Sequence, residues 1–346
     1  KIISSGQKIY GVNSGFGENV RNSVEQDKMK TLQSNLINFL RTGTGEYLDF
    51  YTAKAVMVIR FISLSRGFSG VSLELLHRMR SYITHNIVPA IPQRASLGAS
   101  GDLTPLAYLA EVLRGGGKVI NKEGKLEETS HALHREDLNH KDYEFKPKEA
   151  LAICNGTSAM AGVAFINQRN TEKILELSKE ASALAIIALG GKYDSFSELI
   201  NNQAKEHDGQ SQVAKTIREF LIDEGYKDGD YPDTPLQDQY SLRCVPQILG
   251  PIQETIDLAR SWIIKEINST SDNPVISSEG MRTGGNFYGS YLSHAADYSK
   301  ISIGNIADMI DKQLMLLISP STNRGLTPNL RHPKLGSEFH GLKGLH

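Results

Sequence analysis

The run Ala99-Ser100-Gly101 is the part of the chain whose residue types most directly suggest chemistry. Small residues and glycines in a row make it a poor helix and a poor strand. One interpretation is an ordinary tight turn before a helix that Asp102 or Thr104 caps and Pro105 opens. Since small-residue turns are common, turn chemistry alone favours this interpretation.

The other interpretation is covalent. The amide nitrogen of Gly101 attacks the carbonyl carbon of Ala99 with loss of one water, and Ser100 then loses its hydroxyl as a second water. The product is a five-membered ring with an exposed methylidene carbon, an electrophile that no ordinary side chain supplies. Glycine at position 101 suits the attack because it has no Cβ and tolerates a strained backbone.

A glycine-rich segment lies near the start of the chain, YGVNSGFG from Tyr10 to Gly17. Its glycine spacing differs from the dinucleotide-binding fingerprint. It is either a flexible surface loop or a mobile lid that carries a tyrosine. A phenol, with a reference pKa of about 10, can remove a weakly acidic proton if its anion is stabilised.

Three further polar segments are candidates for a binding site. Gln237–Gln247 surrounds Tyr240 and Arg243 with polar groups, and a guanidinium binds carboxylates with two hydrogen bonds. Asn155 precedes Gly and Thr in a turn, where its amide can both donate and accept. The turn Gly284–Phe287 brings one aromatic side chain to a small polar loop. Each segment is also compatible with a plain surface loop.

Composition excludes several classes of function. The chain has 346 residues and a net charge of −1, so no electrostatic argument favours nucleic acid or a membrane surface as a partner. Two cysteines without metal-ligand spacing indicate a reducing compartment, and we predict a cytoplasmic protein. No uninterrupted apolar run approaches about 18 residues, and the longest, around Ala55–Leu64, is broken by Arg60. His131, His134 and His140 lie in a charged stretch, and no metal is predicted.

Helical periodicity dominates the chain and predicts a mostly α fold. Length suggests roughly two domains, which we divide at 1–170 and 171–346. Short strand-like runs occur only near Gly6–Val12 and Gly117–Asn121. The longest predicted helix, Tyr291–Ser319, indicates a helical bundle. The predicted helices are Met29–Leu40, Ala53–Arg66, Leu73–Asn86, Leu103–Arg114, Lys173–Leu189, Ile252–Ile267 and Tyr291–Ser319.

Taken together, these segments resemble one family, the aromatic amino acid lyases. The family contains histidine, phenylalanine and tyrosine ammonia-lyases and the related aminomutases. The resemblance covers nearly the whole chain, from Tyr10 to the end. Each motif alone is modest, whereas their common order and rough spacing are specific. The matching segments are YGVNSGFG, GASGDL, NGT, QDQYSLRC and GGNF.

The resemblance implies that Ala99, Ser100 and Gly101 become 4-methylidene-imidazol-5-one (MIO), formed autocatalytically, with no soluble cofactor. The exocyclic carbon from Ser100 would accept the amine of an L-amino acid, and ammonia would leave by anti-elimination. Tyr10 matches the lid tyrosine that removes the β-proton. The other matching positions are Asp102, which assists ring formation; Asn155, Gln237 and Tyr240, which support the ring and the amine; Arg243, which holds the substrate carboxylate; and Phe287, an aromatic near the ring.

The substrate depends on the helix that ends at Phe39-Leu40, which aligns with the family's selectivity helix. The pair is similar to that of phenylalanine-specific members. An apolar pair would leave an imidazole or a phenol without a hydrogen-bond partner, so we predict phenylalanine as substrate. Histidine or tyrosine lyase and 2,3-aminomutase activity remain alternatives, as does core packing as the only role of the pair. An inactive helical scaffold is disfavoured because all the motif residues are present.

The family resemblance also implies a fumarase/aspartase-like architecture, in which an N-terminal domain carries the ring and an elongated central helical bundle follows. It implies a homotetramer whose active sites are shared between subunits. Family members continue through further helices and supply a late glutamate near the ring. This glutamate or its equivalent is expected beyond His346, where the sequence ends, so the chain is expected to be shortened at its C-terminus.

Overall fold

The computed structural model describes residues 6–98, 100–138, 142–227, 236–336 and 338–346. Its architecture is mostly helical, and the predicted fold class is confirmed. The helices of the described chain are α1 Met29–Leu40, α2 Phe50–Ser65, α3 Leu73–Thr84, α4 Leu103–Leu113, α5 Thr129–Arg135, α6 Glu149–Cys154, α7 Ser158–Ala188, α8 Asp208–Asp223, α9 Tyr240–Arg243, α10 Val245–Ile267 and α11 Ser290–Ile318.

Three small two-stranded antiparallel sheets accompany the helices of the described chain, and the second and third of them are hairpins. The registers pair Lys118 with Glu128 in the second sheet and Val275 with Arg282 in the third. The strands are β1 Thr44–Tyr47 with β2 Pro92–Arg94, β3 Lys118–Ile120 with β4 Leu126–Glu128, and β5 Val275–Ser277 with β6 Gly280–Arg282.

The chain forms two compact units. The first extends to Asn167 and also includes Ser261–His294, whereas the second consists of Gln168–Arg260 and Ala295–His346. The domain division predicted from the sequence, at 170/171, stays a prediction.

The core of the first unit forms around α4, which is apolar on nearly every side and buried along its length. Leu106, Leu109 and Leu113 of α4 are fully buried among side chains of α1, α2, α3 and α6. Asp49 caps α2 by accepting hydrogen bonds from the amides of Tyr51 and Thr52, as expected for an aspartate at a helix N-terminus.

The core of the second unit is built from amphipathic helices. Val213, Ile217 and Leu221 recur every four residues along α8 and are fully buried. They belong to the same cluster as Leu249 of α10 and Met309 of α11.

The predicted bounds of the helices agree with the structure more closely for some helices than for others. The bounds predicted for α1 are confirmed, and α11 differs by one residue at each end. Helix α7 begins at Ser158, fifteen residues before the prediction, because the Ala- and Gly-rich start of α7 carries little apolar periodicity. The predicted strand near Gly6–Val12 is wrong in the described part, which forms turns.

One described segment, Glu149–Ala188, has the length and hydropathy of a membrane-spanning helix. The sequence expectation, based on uninterrupted apolar runs, missed it because single polar residues interrupt it. Of its most apolar window, 78% is buried inside the protein, as in the core helix of a water-soluble fold. The segment is therefore weak support for membrane insertion.

Candidate active site

Ser100, Gly101 and Asp102 form the turn that leads into α4. Ser100 is exposed, whereas Gly101 and Asp102 are buried. Ala99, the first residue of the predicted ring, lies outside the described residues, as does His140. The predicted electrophilic position, Ser100, is thus open to solvent beside a buried glycine and a buried carboxyl group.

Gly101 lies directly against the backbone of Gly156. A Cβ on Gly101 would lie 2.5 Å from the Gly156 carbonyl oxygen, and the Gly101 φ of +76° is left-handed. The amide of Asp102 donates to the same oxygen at 2.7 Å. On the other side, a Cβ on Gly156 would overlap Arg60 Nη1 and lie 2.7 Å from Ser271 Oγ. Only glycine fits at either position.

Asn155 links this loop to the Ser100 carbonyl group. Its side-chain Nδ2 donates to the Ser100 oxygen at 2.7 Å, and its Oδ1 accepts from the backbone amide of Asn273 at 2.8 Å. The residue is buried at the C-terminal end of α6. Both ends of the amide are therefore paired, which fixes the amide's orientation.

Asp102 precedes α4, but its side chain makes no capping hydrogen bond to that helix. Its Oδ2 instead accepts from the Met160 amide at 2.7 Å, at the start of α7, and its Oδ1 accepts from Ser96 Oγ at 2.7 Å. Of the two residues expected to cap α4, Asp102 and Thr104, the assignment to the Asp102 side chain is wrong, because both of its oxygens are paired elsewhere. Burial raises the pKa of Asp102 to about 6 against the lowering effect of these hydrogen bonds.

Tyr10 lies half-buried in a loop that is held from two sides. Its phenol oxygen accepts from the Gly17 amide at 3.0 Å, and its ring meets the edge of Phe16. Gln33 of α1 donates from Nε2 to the Gly11 carbonyl at 3.0 Å and accepts from the Leu151 amide at 3.3 Å. Gln33 thus connects the tyrosine loop to α6, the helix that ends at Asn155.

A buried charged cluster behind Gly156 was missed from the sequence. Arg60 is fully buried on α2 and contacts Ser158, Ser271 and the Ala152 carbonyl group. Lys148 Nζ lies 2.5 Å from Asp272 Oδ2, and both side chains are buried. Burial lowers the pKa of Arg60 and of Lys148, opposed in each case by Asp272. The available signal was Arg60 itself, a charge within an otherwise apolar helix.

The predicted selectivity pair and Phe287 also belong to the first unit. Neighbouring residues on a helix point in different directions. Accordingly, Leu40 lies in the core of the unit, whereas Phe39 is 58% exposed. Phe287 is half-buried between β6 and α11.

Gln237, Tyr240 and Arg243 belong to the second unit. Gln237 and Tyr240 are exposed, the latter by 73%. Arg243 ends the short helix α9, and its guanidinium lies 4.8 Å from the centre of the Tyr240 ring. Its Nε is buried without a hydrogen-bond partner among the described residues. This N–H group can therefore donate a hydrogen bond to an additional acceptor.

Comparison with known proteins assigns the chain to a family. The family model described as aromatic amino acid lyase matches residues 1–346. The chain belongs to the aromatic amino acid lyase family. The resemblance drawn from the five motifs is therefore confirmed.

Similar curated relatives carry several activities in their names. A probable histidine ammonia-lyase of Thermoplasma acidophilum is 37% identical over 95% of this chain and 65% of its own length. A tyrosine 2,3-aminomutase of Chondromyces crocatus is 39% identical over 96% and 66%. A phenylalanine ammonia-lyase of Nostoc punctiforme is 37% identical over 99% and 62%. The chain thus spans about two thirds of the length of these relatives.

Solved structures confirm the fold of this family for the chain. The Pantoea agglomerans phenylalanine aminomutase superposes with a TM-score of 0.89 at 33% identity, over 99% of this chain and 69% of that one. The histidine ammonia-lyase of Trypanosoma cruzi gives 0.85 at 27% identity, over 99% and 62%. Both belong to the fumarase/aspartase-like class of helical folds, as predicted.

Proposed function

We propose that the chain belongs to an ammonia-lyase that eliminates ammonia from L-phenylalanine to give trans-cinnamate, with MIO formed from Ala99-Ser100-Gly101 as its electrophile. The observation that carries the proposal is the hydrogen bond of 2.7 Å from Asn155 Nδ2 to the Ser100 carbonyl oxygen. This buried donor is held by a second hydrogen bond, from the Asn273 amide, and it fixes the orientation of the Ser100 carbonyl group.

The residues around Ser100 fit the ring. Gly101 has no space for a side chain against Gly156, which restricts the position to glycine, the residue whose nitrogen would attack the Ala99 carbonyl carbon. The ring carbonyl would be that of Ser100, where Asn155 already donates. When formed, MIO supplies an electrophilic carbon that turns the substrate amine into a better leaving group.

Asp102 is suited to the proton transfers that the two dehydrations require. Burial raises the pKa of Asp102 to about 6, close to neutral pH, where a carboxyl group both takes up and releases protons readily. Its two hydrogen bonds, from Ser96 and Met160, hold it next to Gly101.

In the elimination, the Cβ–H and Cα–N bonds of the substrate break and a Cα–Cβ double bond forms. We assign removal of the β-proton to Tyr10, whose phenol oxygen is held in place by a hydrogen bond from the Gly17 amide at 3.0 Å. Arg243 would bind the substrate carboxylate through its unused donor capacity. Gln237 and Tyr240 would support the amine and the ring, and Phe287 would pack near the ring.

Phenylalanine is the proposed substrate because of Phe39-Leu40. Phe39 offers an apolar surface without a hydrogen-bonding group, so an imidazole or a phenol that covered it would lose water without gaining a partner, which is costly. Leu40 would act from the core, by setting the position of α1.

A 2,3-aminomutase is the second candidate. The relatives of similar identity include a tyrosine 2,3-aminomutase, and the superposed structures include a phenylalanine aminomutase. An aminomutase would retain the enoic acid and add ammonia back at the β-carbon.

We also propose a cytoplasmic homotetramer with shared active sites. A groove of about 510 Å³ lies between α10 and α11 within the second unit, beside the exposed side chains of Leu258, Tyr298 and Ile301. Exposed apolar groups on helix faces favour association with another chain. Light scattering tests this proposal, and a monomer at micromolar concentration would contradict it.

The deciding experiment incubates the purified protein with phenylalanine, tyrosine and histidine separately and measures both the enoic acid and the β-amino acid. Intact mass is recorded on the same sample. We expect a mass lower by two waters and cinnamate as the main product. An unmodified mass, or no product from any of the three, would refute the proposal, whereas mainly β-amino acid would favour the aminomutase.

A further inference from the structure

We propose that Ser271 is a positioning residue for ring formation: it holds the loop Asn155–Thr157 in the conformation in which that loop contacts Ser100–Asp102. The inference rests on the proposed function, because it concerns the same ring. It assigns a role in the chemistry to a segment outside the five motifs.

The loop Asn155–Thr157 has two sides with different partners. On one side, the Asn155 amide and the Gly156 carbonyl bind Ser100 and Asp102, each at 2.7 Å. On the other side, the Asn155 Oδ1 and the Thr157 amide bind the segment 271–273. Any shift of this second side displaces the groups that touch the ring residues.

Ser271 is the centre of the second side. Its Oγ accepts from the Thr157 amide at 3.2 Å and from Arg60 Nη1 at 3.3 Å. Only glycine fits at position 156, because a Cβ there would lie 2.7 Å from this oxygen. The hydroxyl of Ser271 is therefore packed against the turn it holds and orients the buried guanidinium above it.

Asp272 fixes the segment to the opposite end of α6. Its carboxylate pairs with Lys148 Nζ at 2.5 Å and accepts from Ser69 Oγ at 2.8 Å. Lys148 precedes α6 and Asn155 follows it, and six helical residues span about 9 Å. The segment 271–273 consequently holds both ends of the helix that presents Asn155.

A variant that lacks only the Ser271 hydroxyl group distinguishes a role in positioning the loop from a role in folding. Ser271→Ala removes the acceptor of the Thr157 amide and one acceptor of Arg60 Nη1, and we expect it to leave the Lys148–Asp272 pair in place. Ser178→Ala is the matched control: Ser178 is equally buried, its Oγ donates to the Leu175 carbonyl, and it belongs to the second unit.

The experiment follows newly synthesised protein from a cell-free translation reaction by intact mass over time. We expect Ser271→Ala to lose the two waters about fivefold to tenfold more slowly than the unsubstituted protein, the effect of one lost hydrogen bond at a positioned group. We expect Ser178→Ala to keep the original rate. Thermal melting of both variants measures the loss of stability.

Two outcomes would overturn the inference: an unchanged rate in Ser271→Ala, or equal slowing in both variants with equal loss of stability. Failure of the proposed function looks different, because the unsubstituted protein would then lose no water at all.

Discussion

The buried candidate residues of the first unit differ from the candidate residues of the second unit in how their hydrogen-bonding groups are paired. In the first unit, Asn155 and Asp102 are buried, and both oxygens of the Asp102 carboxyl group accept hydrogen bonds. In the second unit, Gln237 and Tyr240 are exposed, and Arg243 keeps a buried donor without a partner among the described residues.

The difference indicates a division of tasks. The groups proposed to assist ring formation have hydrogen-bond partners within the chain. These partners fix the positions of the groups before the reaction, as preorganisation requires. Groups that must bind a free amino acid keep hydrogen-bonding capacity for it. Substitutions of the buried residues Asp102 and Asn155 should therefore change ring formation, and substitution of Arg243 should change substrate binding alone.

The largest expected effect comes from Ser100→Ala, which removes the hydroxyl that leaves as the second water. We expect no loss of that water, at least about a thousandfold lower turnover, as for the loss of a covalent catalyst, and unchanged stability because Ser100 is exposed. Intact mass and an assay of cinnamate formation test this. Ser277→Ala, at the exposed end of β5, is the control. Full activity of Ser100→Ala would show that Ser100 is not the source of the electrophile.

The next effect concerns Asp102 and pH. Burial raises its pKa from 3.8 to about 6, so the folded protein retains a proton that the unfolded chain releases. The stabilising contribution of this group is thus present below about pH 4 and is lost as the pH rises through 6, by about 3 kcal/mol in total.

Asp102→Asn in a Ser100→Ala background should abolish this dependence without interference from the ring. We expect the variant to gain about 3 kcal/mol of unfolding free energy relative to Ser100→Ala between pH 4 and pH 7. Denaturant melts across that range measure it. Asp297→Asn, at an exposed site on α11, is the control, and a pH-independent difference would show that Asp102 ionises normally.

The sequence predicted the fold where periodicity was strong and failed where packing decides. Helix α1 was predicted to the residue because its apolar positions recur on one face. The start of α7 was missed because small residues there allow close packing, as at Gly162 against Val56, without giving an apolar pattern.

The candidate site divides in the same way. Ser100, Asp102 and Asn155 were proposed from motifs, whereas three contacts around them could not be predicted: the Asp102 bond to α7, the Gln33 bridge and the Ser271 contact with the loop. These contacts join residues 22 to 118 positions apart. Such long-range pairing depends on the complete fold and has no local signal.

Arg243→Ala tests the second unit. We expect about a thirtyfold rise in KM for phenylalanine, the effect of losing a charged hydrogen bond of about 2 kcal/mol, with ring formation unchanged. Steady-state kinetics and intact mass on the same preparation give both values. Arg260→Ala, which removes an exposed arginine from α10, is the control. Impaired ring formation in Arg243→Ala would show that the two units do not act separately.

The smallest expected effect is a change of substrate preference at Phe39. Phe39→His places a hydrogen-bonding ring at an exposed position of α1. We expect kcat/KM for tyrosine relative to phenylalanine to rise about tenfold, because the phenol of the bound tyrosine gains a hydrogen-bond partner. Stability should hardly change. Leu40→Ala provides the contrast, because Leu40 lies in the core and its truncation should cost about 3 kcal/mol of stability. An unaltered tyrosine-to-phenylalanine ratio in Phe39→His would mean that Phe39 does not contact the substrate, and the choice of phenylalanine would lose its support.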